Sequence, residues 1–139
     1  MVDIVSKEKR SWVMSRIKSN NTKPEIILRS LLHSEGYRFR LHHKNLPGKP
    51  DIVLPKYKSV IFVNGCFWHF HKGCKISKIP KSNRQYWENK LKNNVKRDRQ
   101  NCALLRDLGW NVIVVWECEI KKNLNEIFKR VSSSLAEMK

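Results

Sequence analysis

The spacing of apolar positions changes several times along the chain, and each change marks an element. Over residues 7–19, Trp12, Val13 and Ile17 punctuate an otherwise basic stretch, which predicts an amphipathic helix interrupted by Asn20, Asn21 and Thr22. Thr22-Lys-Pro-Glu25 reads as a capping box ahead of Ile26, Ile27, Leu28, Leu31 and Leu32, with Gly36 as the stop. Tyr37 to Leu41 alternates apolar and basic residues, as a strand with one solvated or anion-facing side does. Asn45 to Pro50 is a turn that delivers the short apolar strand Asp51 to Leu54. Lys56 to Ser59 is a second turn, leading into a buried strand from Val60 to Val63 that ends at Asn64-Gly65.

Residues 66–84 have no period and form an irregular basic loop, with Lys72, Lys75, Lys78, Lys81 and Arg84 at every third position. A long helix is predicted over 84–108, with Trp87, Leu91, Val95, Cys102, Leu105 and Leu108 on one stripe and Gly109 at its end. Trp110 to Trp116 is so uniformly apolar that it is the best candidate for a central strand. Leu124, Ile127, Phe128, Val131 and Leu135 mark a last amphipathic helix. The order α-α-β-β-β-α-β-α predicts an α/β fold, a small mixed sheet flanked by helices.

Composition narrows the class. A chain of 139 residues fits one domain, residues 1–139, and buries roughly two-thirds of its unfolded surface without staples. Hydrophobic residues make up 40%, enough for a core rather than wholesale disorder. Lys plus Arg number 29 against 12 Asp plus Glu, a net charge of +17 that calls for a polyanionic partner. A membrane is the weaker choice, because no apolar run approaches the ~20 residues of a spanning helix. Met1 to Arg10 is charged rather than signal-like, so a soluble, cytoplasmic protein is expected. Four cysteines without a secretory signal favour a metal over disulfides.

The metal pattern is Cys66-x4-His71-x2-Cys74 with Cys118 far along the chain. Three Cys and one His match a closed tetrahedral zinc site, which would pin the weakly hydrophobic 66–84 loop to the end of the 110–116 strand. Buried structural cysteines are the competing reading for Cys66 and Cys118. Cys102, on the helix stripe, is expected in the core.

Among the acids, Asp51 opens an apolar strand after Pro50, a place suited to a Mg²⁺ ligand because a hard cation takes oxygen donors. Capping of the 45–50 turn is its alternative role. Asp98 falls among Leu91, Val95, Cys102 and Leu105, so its charge must be paired or serve a site. Arg97 and Arg99 do not pair it, since adjacent helix positions point elsewhere. Glu25 has the capping box as its competing role. His69 and His71 are two apart, and only His71 has ligand spacing to Cys74, which leaves His69 for acid–base work. Phe67-Trp68 sets two large aromatics side by side in a basic loop, where a wedge between base steps is the functional reading. Trp87 either joins them or belongs to the core.

Taken together, Leu46-Pro-Gly-Lys-Pro-Asp-Ile-Val, Val60-Ile-Phe-Val-Asn-Gly-Cys-Phe-Trp-His, Asn94-Val-Lys-Arg-Asp and Leu108-Gly-Trp-Asn-Val-Ile-Val-Val-Trp-Glu-Cys resemble the very short patch repair endonucleases, from about residue 8 to residue 120. The resemblance implies a restriction-endonuclease-like fold with a structural zinc. It also implies nicking on the 5′ side of the T in a T:G mismatch left by deamination of 5-methylcytosine. By position, Asp51 resembles the Mg²⁺-binding carboxylate, with the main-chain carbonyl of Val63 as a second ligand. His69 resembles the general base, and Glu25 and Asp98 match acids that hold metal-bound waters. Cys66, His71, Cys74 and Cys118 fall on the zinc ligands. Phe67, Trp68 and Trp87 match the aromatic wedge, and Lys90 a residue near the mismatched pair. Residues 1–19 match a DNA-clasping helix, from which Met14 enters the minor groove.

The chain departs from that pattern at Asn64, where the family usually has His. Asn donates a hydrogen bond to phosphate or water but carries no proton at neutral pH, so the resemblance leaves His69 as the base. Double-stranded DNA with a T:G mismatch is the expected partner, with other DNA repair proteins as further candidates and a monomer as the expected state. Two other readings stay open, a related restriction or mobile-element nuclease without mismatch specificity and a non-catalytic zinc-stabilised DNA-binding module.

Overall fold

The structure, a computed structural model, describes residues 22–71, 74 and 79–138. The helix expected over 7–19, the clasp of residues 1–19 and Met14 lie outside the described residues, as do Lys72, Lys75 and Lys78.

Within them the elements run α1 (Lys23–Ser34), β1 (Arg40–Leu41), β2 (Ile52–Leu54), a 3-10 turn (Pro55–Tyr57), β3 (Ser59–Asn64), α2 (Arg84–Asp107), β4 (Asn111–Trp116), α3 (Glu117–Lys122) and α4 (Leu124–Ala136). The four strands form one sheet in the order β1-β2-β3-β4. β1, β2 and β3 make an antiparallel meander, and β4 runs parallel to β3 after the crossover through α2. This is a mixed α/β architecture.

Alternation of side chains divides the core between the two faces. Ile52, Leu54, Ile61, Val63, Ile113 and Val115 pack with Leu28 and Leu32 of α1, Ile120 of α3 and the stripe Ile127, Val131 and Leu135 of α4. Val53 and Val60 face the other way, against Leu105 of α2. Full burial of one such side chain contributes roughly 1.5–3 kcal/mol, so this two-sided core is what fixes the strand register.

Three expectations are corrected. β4 is the edge strand of the described sheet, not a central one; its apolar run is explained by helices covering its faces rather than by strands on both sides. The 37–41 strand shrinks to Arg40–Leu41, because Tyr37 and Phe39 pack their rings against the core instead of extending the ladder. Leu108 caps α2 and is exposed.

Candidate active site

The chemistry gathers where β3 and β4 leave the sheet. Their parallel register places Asn64 opposite Trp116, so Cys66 and Cys118, each two residues further on, emerge at the same end. Sulfur atoms of Cys66, Cys74 and Cys118 and a ring nitrogen of His71 all lie within 4.8 Å of one another. His71 Nδ1 is 3.6 Å from Cys66 Sγ and 3.4 Å from Cys118 Sγ, and its ring stacks on Trp116 at 4.1 Å with 6° between planes. The Cys66 N–H donates to Glu117 Oε1 at 2.9 Å, tying the loop to α3. Burial pushes the Cys66 thiol up to about 12 and raises Cys118 as well. A bound dication would reverse that, because it takes the thiolate. Four ligands about 2.3 Å from one ion stand roughly 3.8 Å apart, so this donor set fits a closed tetrahedral ion. Cys102 is not in the cluster; it is half-buried on α2 rather than deep in the core.

A carboxylate group lies at the start of β2. Asp51 is buried, and its Oδ2 accepts the Val63 N–H at 2.7 Å across the β2–β3 pair. Burial pushes its carboxyl up to about 7; the Val63 N–H opposes the rise, Glu25 adds to it, and His42 and His69 oppose it. A divalent cation would hold such a group ionised. The 45–50 turn closes by itself, with the Lys49 N–H donating to Leu46 O. Gly48 sits at φ +75° with its would-be Cβ 3.0 Å from Asn101 Cβ, so the turn lies directly against α2 and only glycine fits there.

Glu25 is fully buried, and the expected capping box is absent, since Thr22 makes no side-chain cap bond. The carboxylate has turned inward instead. Its Oε2 accepts from Arg29 Nη1 at 2.9 Å and from His42 Nε2 at 2.7 Å, while Oε1 has no hydrogen-bond partner among the described residues. Ligand atoms of Glu25, His42 and Asp51 lie within 4.8 Å of one another.

Asp98 finds its partner in His69, whose Nδ1 lies 2.6 Å from Asp98 Oδ2. One turn earlier, Asn94 Nδ2 donates to Trp68 O at 2.9 Å, so one face of α2 holds the Trp68-His69 backbone and ring together. Asn64, His69 and Asp98 line a cavity of about 470 Å³ between α2 and the sheet. Phe67, Trp68 and Trp87 form a three-ring cluster with centroids 5.1, 5.5 and 6.0 Å apart, and all three are half-buried. Exposed Tyr86 extends it, 5.2 Å from Trp87. Lys90 lines a polar groove with Asn93 and Arg97 on the same helix.

Sequence reasoning missed His42, Asn94, Trp116 and Glu117. The one available signal was hairpin pairing: with Leu41 opposite Ile52, His42 falls opposite Asp51, and its N–H donates to Asp51 O.

The family described as DNA mismatch endonuclease Vsr matches residues 2–75. The chain is 42% identical over 121 residues to DNA mismatch endonuclease Vsr of Escherichia coli, covering 87% of this chain and 77% of that protein. The chain belongs to the Vsr family. It is also 53% identical over 120 residues to type II nicking enzyme V.XorIIP of Xanthomonas oryzae pv. oryzae, covering 86% of this chain and 88% of that one. Type II nicking enzyme V.NmeAIP of Neisseria meningitidis is 44% identical over 141 residues, 97% of this chain and all of that one. This Vsr-family protein is therefore a nuclease acting on DNA, which sets aside the non-catalytic binding module. No helix among its described residues is long and apolar enough to cross a membrane.

Proposed function

We propose that this Vsr-family endonuclease nicks duplex DNA on the 5′ side of the T in T:G mismatches arising from deaminated 5-methylcytosine. The observation that carries the reading is an oriented histidine, His69 on Asp98, in the same site as the buried carboxyl of Asp51. Asp51 and the main-chain carbonyl of Val63 would hold Mg²⁺, which when bound offsets charge on the phosphoryl group in flight. His69 takes the proton of the attacking water on Nε2. Asp98 accepts from Nδ1 and so keeps the lone pair on the other nitrogen. Glu25 and Asp98 would hold waters beside that ion, and Asn64, beside His69 in the cavity, would donate to phosphate or water.

Cys66, His71, Cys74 and Cys118 would hold a structural Zn²⁺ that fixes the loop carrying Phe67, Trp68 and His69. The three aromatic rings stack against the mismatched pair, where unpairing costs least. Lys90 approaches the same pair from α2, and Met14 enters from the minor groove. The fold is restriction-endonuclease-like, the chain forms one cytoplasmic domain, and one active site suffices for a nick, so it acts as a monomer. Other repair proteins remain candidate partners.

A second reading is nicking without a mismatch requirement: V.XorIIP and V.NmeAIP are named type II nicking enzymes, and those names specify no mismatch. Strand-specific cleavage of an end-labelled duplex decides between them, with one T:G pair or a matched T:A control, in Mg²⁺ or EDTA. Nicking of the T strand only in the mismatched duplex supports repair. Cleavage of both duplexes supports the second reading, and cleavage of neither overturns both.

A further inference from the structure

We infer that His42 is a ligand of the active-site cation, so that Glu25, His42 and Asp51 form a mixed nitrogen and oxygen position that favours Mn²⁺ over Mg²⁺. The inference rests on the reading of Asp51 as the cation's carboxylate, and it replaces the water-mediated role of Glu25 with direct contact. Three atoms of different chemistry converge there, all within 4.8 Å of one another, from three separate places in the chain. Glu25 comes from the first turn of α1, His42 from the end of β1, and Asp51 from the residue before β2.

Glu25 points to a missing partner. Its side chain has no solvent exposure, and among the described residues Oε1 has no hydrogen-bond partner although Oε2 has two. A buried carboxylate oxygen left unpaired is costly, and a cation between Glu25 and Asp51 would satisfy it.

His42 is built into the position rather than lying near it by chance. It has φ +49°, a left-handed conformation uncommon for a residue with a side chain, while its N–H donates to Asp51 O at 3.1 Å. That backbone bond anchors the residue opposite Asp51, and its Nε2 reaches Glu25 Oε2 at 2.7 Å. When a cation enters, Nε2 presents its lone pair to the metal, and the neutral ring carries its proton on Nδ1. Nothing is oxidised or reduced. Imidazole is a good ligand for borderline transition metals, whereas Mg²⁺ takes oxygen donors and water, so a nitrogen here shifts preference toward Mn²⁺.

Mn²⁺ binding to the full chain, without DNA and with one equivalent of Zn²⁺ supplied, tests this apart from activity. Titration would be followed by calorimetry, and the bound ion by pulsed electron paramagnetic resonance. The expected result is Mn²⁺ binding that Asp51→Asn abolishes, with a directly coordinated nitrogen coupling that is lost in His42→Gln and kept in His69→Gln. His42→Ala should weaken Mn²⁺ at least about tenfold, with a smaller loss for Mg²⁺. Asp51-dependent binding with no such coupling in the unaltered protein would overturn the role of His42 and leave the Asp51 reading intact. A coupling lost in His69→Gln would assign the nitrogen to His69 and also overturn it. Mn²⁺ binding that is absent, or indifferent to Asp51→Asn, would remove both readings.

Discussion

Asp98 on α2 and His69 in the loop after β3 meet at 2.6 Å, and this contact gives a reason for a carboxylate on the inner stripe of a long helix. An anionic acceptor at Nδ1 fixes which ring nitrogen is free and holds the ring still. Both side chains are about one-third exposed, at 29% and 32%, so the contact contributes little to stability. Its effect is on orientation.

Asp98→Asn is therefore expected to separate chemistry from binding. An amide can present its NH₂ to Nδ1 and select the wrong tautomer, and single-turnover nicking should fall by roughly 10²–10⁴-fold. Duplex affinity and melting temperature should stay near those of the unaltered protein. A rate within a factor of about three would show that chemistry does not depend on the Asp98 carboxylate at His69 Nδ1.

Asp51 gives a prediction with opposite signs for activity and stability. Its carboxyl is pushed up to about 7 by burial, against an ordinary 3.8. Between those values the folded protein binds more protons than the unfolded chain, so stability falls as pH rises through that window and levels off above it. Asp51→Asn removes the charge while its side-chain oxygen can still accept the Val63 N–H. Without Mg²⁺, urea unfolding from about pH 5 to about pH 8 should show the variant losing less stability, and ending roughly 2–4 kcal/mol more stable at the upper end. Nicking should vanish with DNA binding nearly intact. Equal pH slopes in the two proteins would mean that Asp51 is not held protonated by burial.

The thiol cluster makes a prediction about metal removal. If one ion joins Cys66, His71, Cys74 and Cys118, the purified protein should carry about one zinc per chain by elemental analysis. Stripping it should release the 66–74 loop from α3 and lower the melting temperature by about 10 °C or more. Nicking should then return with Zn²⁺ plus Mg²⁺ but not with Mg²⁺ alone. Cys118→Ser should reproduce the loss, and Cys102→Ser should not. A metal-free chain with full activity would reduce the cluster to buried thiols.

How much of this was legible in the sequence depends on the kind of information each residue carries. Helices α1, α2 and α4 follow from apolar periodicity, and Cys66 with Cys118 from spacing plus an intracellular expectation. The lateral position of β4 did not follow, because hydropathy reports whether the faces of a strand are covered and not what lies at its edges. Thr22-Lys-Pro-Glu25 is locally sufficient for a capping box, so the residues alone leave Glu25 between a helix cap and a site acid. In the fold, Arg29 and His42 outcompete the backbone for that carboxylate. His42 itself acquires a place only through hairpin register, which is a pairing between segments and leaves no mark on either one alone.

The aromatic cluster yields the prediction that bears most directly on substrate choice. Phe67 packs edge to face on Trp68 and Trp87, which tilt at 57° to each other, and all three remain half-buried, so together they offer a rigid ring surface next to His69 in the chain. Stacking a base on an aromatic ring contributes about 1–3 kcal/mol, and the cost of opening a pair is lowest at a mismatch. A wedge therefore stabilises the complex with T:G more than the complex with T:A, and its removal should erode the difference. Phe67→Ala combined with Trp68→Ala is expected to lower the T:G over T:A preference in nicking at least about tenfold. The residual rate on the matched duplex should change much less, because His69, Asp98 and Asp51 are untouched. Trp87→Ala alone should give a smaller loss, since its ring buttresses the other two from α2. Unchanged discrimination in the double variant, with zinc content and melting temperature preserved, would make the rings packing elements and send the search for specificity to Lys90 and the groove of α2.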